Sequence, residues 1–91
     1  MSESASGTVR LMYFAWVREK IGLAAEDVVL PAHIESVADT MAWLSRRGPE
    51  YAEAFARPQV IRTAINHSHV KPETLIKGAR EIAFFPPVTG G

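Results

Sequence analysis

The chain contains no cysteine, which excludes disulfide staples, thiolate metal sites and thiol nucleophiles by counting alone. Any sulfur chemistry must use sulfur that arrives from elsewhere. An excess of one charge is also missing: ten basic residues balance ten acidic ones, and the only adjacent basic pair is Arg46-Arg47. That is no electrostatic footprint for a phosphate backbone, so nucleic acid is not an expected partner. No apolar run approaches the roughly 20 residues that a membrane span needs. The opening "MSESASG" lacks the basic flank and apolar stretch of a secretion signal, so the expectation is a cytoplasmic protein with no membrane contact. Neither a carboxylate pair nor a glycine-rich phosphate loop is present to suggest acid-base or nucleotide work.

What is there fits one small soluble domain. The 91 residues are 47% hydrophobic and 22% charged, too few for a second core and ordinary in composition. "TVRLMYFA" (Thr8 to Ala15) is nearly unbroken in hydrophobicity and is expected to be a central strand covered on both faces. "WVREKIG" follows as a short helical turn, with Trp16, Val17 and Ile21 at helical spacing and Gly22 as its stop. "EDVVLP" (Glu26 to Pro31) is a second strand, antiparallel to the first. Ser36 opens the main helix by capping the Asp39 amide in a capping box. Val37, Met41 and Leu44 form its apolar stripe, Arg46 and Arg47 its last turn, and Gly48-Pro49 its end.

"EYAEAFA" gives a second short helix with Tyr51 and Phe55 paired at i, i+4, closed by Pro58. "VIRTAI" (Val60 to Ile65) is a third strand and "NHSH" a tight turn, Asn being tolerant of left-handed backbone. In "KPETLIKGA" the apolar pair Leu75-Ile76 is expected to tuck into the core. "REIAFF" (Arg80 to Phe85) is the last strand, ended by Pro86-Pro87, which cannot donate ladder hydrogen bonds. The order strand, strand, helix, strand, strand implies an α+β fold, a mixed sheet with one main helix packed across one face. Residues 1–7 are expected to be a loose tail, 8–85 the folded domain and 86–91 an extended arm.

Candidate chemistry concentrates in that arm. Two prolines stiffen the base of "PPVTGG", two glycines strip its end of side chains, and six residues reach at most roughly 20 Å at about 3.3 Å each. The carboxylate of Gly91 is thus the one group that a narrow cleft in another protein can admit without meeting a Cβ. The alternative for such an end is a frayed terminus, but an aromatic pair followed by a proline pair marks a defined boundary between fold and arm. His67 and His69 form an H-x-H pair, yet no carboxylate or cysteine lies near in sequence to complete a metal shell, and the pair sits in the expected turn. His33 is a lone loop histidine. Trp16 and Trp43 read as core or core-edge residues. For Phe14 and Phe85, at the ends of two strands, core and interface readings stand equal on the residues alone.

"EIAFFPPVTGG", "LMYFAWVREKIG" and "AINHSHV" together resemble the MoaD-like small subunit of molybdopterin synthase, a family of ubiquitin-like sulfur carriers, over nearly the whole domain. The resemblance implies a β-grasp fold. It implies that an E1-like (MoeB-like) enzyme uses ATP and magnesium to adenylate the carboxylate matching Gly91, after which a sulfur donor such as a cysteine desulfurase or rhodanese leaves a thiocarboxylate. The arm would then enter the large (MoaE-like) subunit and give its sulfur to a pyranopterin precursor, precursor Z, in molybdenum cofactor assembly. This chain would bind no cofactor or metal itself, and the active site would lie on the large subunit. Gly90 matches the second member of the terminal pair, Pro86, Pro87, Val88 and Thr89 the inserted arm, Phe14 and Phe85 apolar positions of the partner-facing surface, and Arg18 a basic residue there. His69 stands on that surface where relatives commonly have an aliphatic residue. A carrier for thiamine or another thiolated product, and a modifier joined through Gly91 to lysines, are the rival functions.

Overall fold

The computed structural model describes residues 7–87. In β1 (Thr8–Tyr13) the side chains alternate: Val9, Leu11 and Tyr13 are buried while Thr8 and Arg10 are exposed. This corrects the expectation of a strand covered on both faces. The helices pack on one face of the sheet only, so Arg10 and Met12 look out from the other, as a period of two requires. β2 (Ala25–Val29) runs antiparallel to β1, from Thr8↔Val29 to Met12↔Ala25, and starts and ends earlier than Glu26 to Pro31. Between them lies α1 (Ala15–Ile21). Gly22 ends it at φ 89, donating its amide to the Arg18 carbonyl, a left-handed cap that glycine adopts without a Cβ penalty.

α2 (Val37–Ser45) begins as its sequence dictates. The Ser36 hydroxyl accepts from the Asp39 amide at 3.1 Å and the Asp39 carboxylate accepts from the Ser36 amide at 3.3 Å, which satisfies two of the free amides of the first turn. Val37, Met41 and Leu44 are buried. Arg46 and Arg47, however, lie beyond the helix rather than in its last turn: Arg46 is the residue that caps it, at φ −94 and ψ 2, and Arg47 instead pairs with Glu26 at 3.2 Å. α3 (Pro49–Ala54) follows, and Pro58 opens a 3-10 turn (Pro58–Val60) instead of only closing a helix. β3 is consequently shorter than expected (Arg62–Ile65).

The "NHSH" stretch holds a turn and also a fifth strand, β4 (Ser68–Val70), paired antiparallel with β3 from Ile65↔Ser68 to Thr63↔Val70. Only Asn66 and His67 form the turn, at φ 49 and 75, the two positive values that a two-residue type I′ hairpin demands. His69 is therefore a strand residue. The Asn66 side chain accepts from the Arg80 and Glu81 amides at 2.9 and 3.1 Å and so fastens the start of β5 (Glu81–Phe85). Of the pair Leu75-Ile76 only Ile76 is buried; Leu75 is 65% exposed, since Leu75 sits in an isolated bridge with Ser36 whose alternation turns one side chain out.

The sheet order is β2-β1-β5-β3-β4, with β5 parallel to β1 and antiparallel to β3. This mixed sheet with α2 across one face is the β-grasp arrangement. Its core contains Leu11, Tyr13, Val17, Val37, Leu44, Ile82 and Phe84, each at most 1% exposed, while Trp16 and Trp43 pack at its edge.

His67 is the strained member of the turn. A left-handed conformation costs an L-residue with a Cβ about 1–2 kcal/mol, and glycine recovers that less its own larger chain entropy. The His67–Glu81 pair, at 3.9 Å with the imidazole 82% exposed, offsets little of this. His67→Gly is expected to raise unfolding stability by about 0.5–1 kcal/mol in urea denaturation, with an unchanged m-value.

Candidate functional site

The parallel ladder of β1 and β5 assembles one end of the molecule. Its last register pair is Tyr13↔Phe84, and the Phe14 amide extends the contact by donating to the Phe84 carbonyl at 3.1 Å. Phe14 is extended, at φ −128 and ψ 154, so alternation aims its side chain away from the buried Tyr13, and it is 42% exposed. By the same parity Phe84 enters the core and Phe85 looks out, half-buried. The open face at this end thus carries Phe14 and Phe85 side by side.

Three polar side chains surround them. Ala15, at φ 53, turns the chain sharply into α1. One turn on, the Arg18 amide donates to the Phe14 carbonyl at 3.3 Å, and Arg18 is exposed. From the other side Arg62 pairs in register with Phe85, and the His69 ring lies 5.3 Å from the Phe85 ring, tilted by 56°. Pro86 and Pro87 follow β5 outside any strand and half-buried. Val88, Thr89, Gly90 and Gly91 lie outside the described residues, as do residues 1–6 of the tail expected at 1–7. Phe14, Arg18, His69, Phe85 and Pro86-Pro87 are brought to one end of the fold; Arg62 had not been singled out, although its place beside Phe85 follows once β3 and β5 are paired.

Beneath this surface is a brace that the sequence reading missed. Phe84 is fully buried, with Tyr13 stacked against it at 6.2 Å and Phe55 edge-on at 5.3 Å. The Tyr13 and Tyr51 hydroxyls each donate to Glu26 Oε2 at 2.7 Å, and Arg47 donates to Oε1 at 3.2 Å. The Arg47 guanidinium also lies 5.1 Å from the Trp43 ring and 5.2 Å from that of Tyr51, within cation-π range. Burial, then the hydrogen bond and charge of Glu26, push Tyr13 above the ordinary tyrosine value and Tyr51 up to about 12. A signal existed in "EDVV": alternation places Glu26 on the same side as the buried Val28, where a carboxylate needs partners.

With both oxygens engaged, Glu26 supports structure and is not poised as a general base. A concavity of about 730 Å³, lined by Val9, Leu30, Ile34 and Ala79 among others, lies where β1 and β5 begin, at the opposite end of β5 from Pro86-Pro87. No group of three or more His, Asp or Glu among the described residues converges as a metal site, and no described helix is long and apolar enough to cross a membrane.

A family model described as the ThiS family matches residues 11–91. The molybdopterin synthase sulfur carrier subunit of Haemophilus influenzae is 34% identical over 83 residues, covering 91% of this chain and 99% of that one. Among solved structures, a protein described as molybdopterin converting factor subunit 1 from Pyrococcus furiosus superposes with a TM-score of 0.70 at 25% identity, over 91% of this chain and 100% of that one. The small archaeal modifier protein 1 of Methanosarcina acetivorans does so with a TM-score of 0.66 at 25% identity, over 93% and 97%.

The brace yields a measurable consequence. Glu26→Ala leaves the Tyr13 hydroxyl buried without an acceptor and is expected to cost about 2–3 kcal/mol in denaturant unfolding. Both tyrosines of the chain belong to the brace, and both are held protonated by the fold above their ordinary value of 10.0. The unfolded chain therefore releases protons that the folded chain keeps, and stability falls as pH rises through about 10 toward 12. Tyrosinate absorbance in the native protein is expected to appear above pH 10 together with loss of fold; independent titration near 10 with the fold intact would contradict the brace.

Proposed function

The chain belongs to the ThiS family, and from that premise we propose that it is the sulfur carrier subunit of a molybdopterin synthase, with the carboxylate of Gly91 as the atom group that is activated, thiolated and delivered. The observation that carries this reading is the 34% identity to a curated sulfur carrier subunit over 99% of that protein's length, together with a family match that runs through Gly91. The large synthase subunit is the principal partner.

A carboxylate is a poor acyl donor because its leaving group would be oxide. In the proposed cycle an E1-like enzyme uses ATP and magnesium to join Gly91 to AMP, releasing pyrophosphate. A persulfide from a cysteine desulfurase or rhodanese attacks the acyl carbon and expels AMP. Reductive cleavage of the resulting acyl disulfide by a second thiol leaves the thiocarboxylate and a disulfide on the donor. In the large subunit that sulfur is transferred to the pyranopterin precursor, and hydrolysis of the acyl intermediate restores the carboxylate. This chain holds none of the nucleotide, metal or pterin; its part is to present an unhindered end on a stiff base, the work of Gly90-Gly91 and Pro86-Pro87. Phe14, Arg18, His69 and Phe85 form the surface that meets the partner. A dependence on ATP-driven activation fits a cytoplasmic site of action.

The likeness to an archaeal modifier protein at 25% identity favours one second reading, conjugation of Gly91 to lysine amines through the same acyl-adenylate. Fragment mass spectrometry of the protein taken from its host separates the two. A carrier is expected to show one oxygen replaced by sulfur, localised to Gly91 because oxidation of any of the three methionines has the same nominal mass shift. A modifier shows isopeptide-linked conjugates that vanish on deletion of Gly91. A pool that stays carboxylate when activating enzyme, ATP and sulfur donor are supplied overturns the carrier reading.

A further inference from the structure

The polar groups around Phe14 and Phe85 share one character. Arg18 and Arg62 present guanidinium groups, which donate and never accept, and the His69 imidazole retains an N–H donor even when neutral. The ion pairs among the described residues join Arg10 to Asp27, Lys20 to Glu53, Arg47 to Glu26 and His67 to Glu81. Arg18 and Arg62 are in none of them, and the nearest acidic neighbour in sequence, Glu19, lies about 100° further round α1. A chain with zero formal net charge has therefore placed Arg62 in register beside Phe85 and Arg18 one helical turn on from Phe14.

We propose that this end is a cation-rimmed apolar docking surface whose partner is an apolar socket bordered by carboxylates, and that Arg62 is a specificity-determining residue of it. The inference rests on the reading that the arm end docks the large subunit, and adds the chemistry that the large subunit must offer there. Arg62 holds its place because β3 and β5 pair in the register Arg62↔Phe85; the next pair, Thr63↔Phe84, faces the core. Opposite charge at the edge of an apolar contact speeds encounter and fixes orientation, and its influence fades with salt.

The test measures the affinity and association rate of the full chain for the purified large subunit at low and high salt. Arg62→Glu is compared with Arg80→Glu, an equal charge change beside Asn66 at the far end of β5. Arg62→Glu is expected to weaken binding about tenfold or more at low salt, mostly through the association rate, with Arg62→Gln intermediate and the gap narrowing at high salt. Arg80→Glu is expected to stay within about twofold of the parent chain. Equal losses for the two reversals, or no loss for Arg62→Glu while the parent chain binds, overturn the cationic rim and leave the carrier reading intact. No binding of the parent chain at either salt overturns both.

Discussion

The structure depends on the parallel pairing of its first and last strands. Arg10↔Glu81 through Tyr13↔Phe84 is the only parallel ladder among the described residues, and it forms between segments separated by most of the chain. Closing so long a loop costs entropy that local contacts do not repay. The return is positional: the strand that ends in Phe14 and the strand that leads into the arm finish at one level. The register also fixes what each residue does. With Phe84 opposite Tyr13 in the core, Phe85 and Phe14 must both face out, and a slip of one residue would exchange core and surface along the whole strand.

The two faces of the sheet answer to different demands. One is sealed by α1, α2 and α3 and holds the large apolar side chains, together with a carboxylate whose partners come from β1, from α3 and from the segment between α2 and α3. Glu26 is on an edge strand, and an inward-pointing charge there also discourages pairing with another copy. The other face has little cover and an uncharged row across its middle, with Ala25, Ala83 and Ala64 flanking and following Met12 in adjacent register positions. Stability resides on the first face, which leaves the second free to be shaped for contact.

Much of this was legible from residues alone, and the failures have physical causes. The capping box at Ser36, the glycine stop at Gly22 and the left-handed Asn66 follow from local chemistry that tertiary packing did not override. The α+β class with one mixed sheet follows from element order, and the β-grasp fold from the resemblance. Strand β1 was misjudged because Leu11, Met12, Tyr13 and Phe14 run together as an apolar block, while Arg10 was the sign that one face is open. β4 was missed because a three-residue strand is specified by its partner rather than by its own sequence. Arg47 looked like a helix-end cation, and only the fold reveals Glu26 within its reach. Arg62 could not be singled out without knowing which residue of β5 lies beside it.

These placements explain why so small a chain can serve a demanding transfer. Delivery of a terminal carbonyl into a partner's cleft loses efficiency with every backbone dihedral that must be frozen on entry, at roughly 1–2 kcal/mol per ordered residue. β5 is locked by ladders on both sides up to Phe84 and by β3 alone at Phe85, its penultimate side chain is stacked in the core, and two prolines with φ already restricted come next. Glycine is the residue with the most to lose on ordering, so in the proposed transfer the Gly90-Gly91 end is a cost accepted for width. A fold this rigid beneath the arm is what makes that cost tolerable.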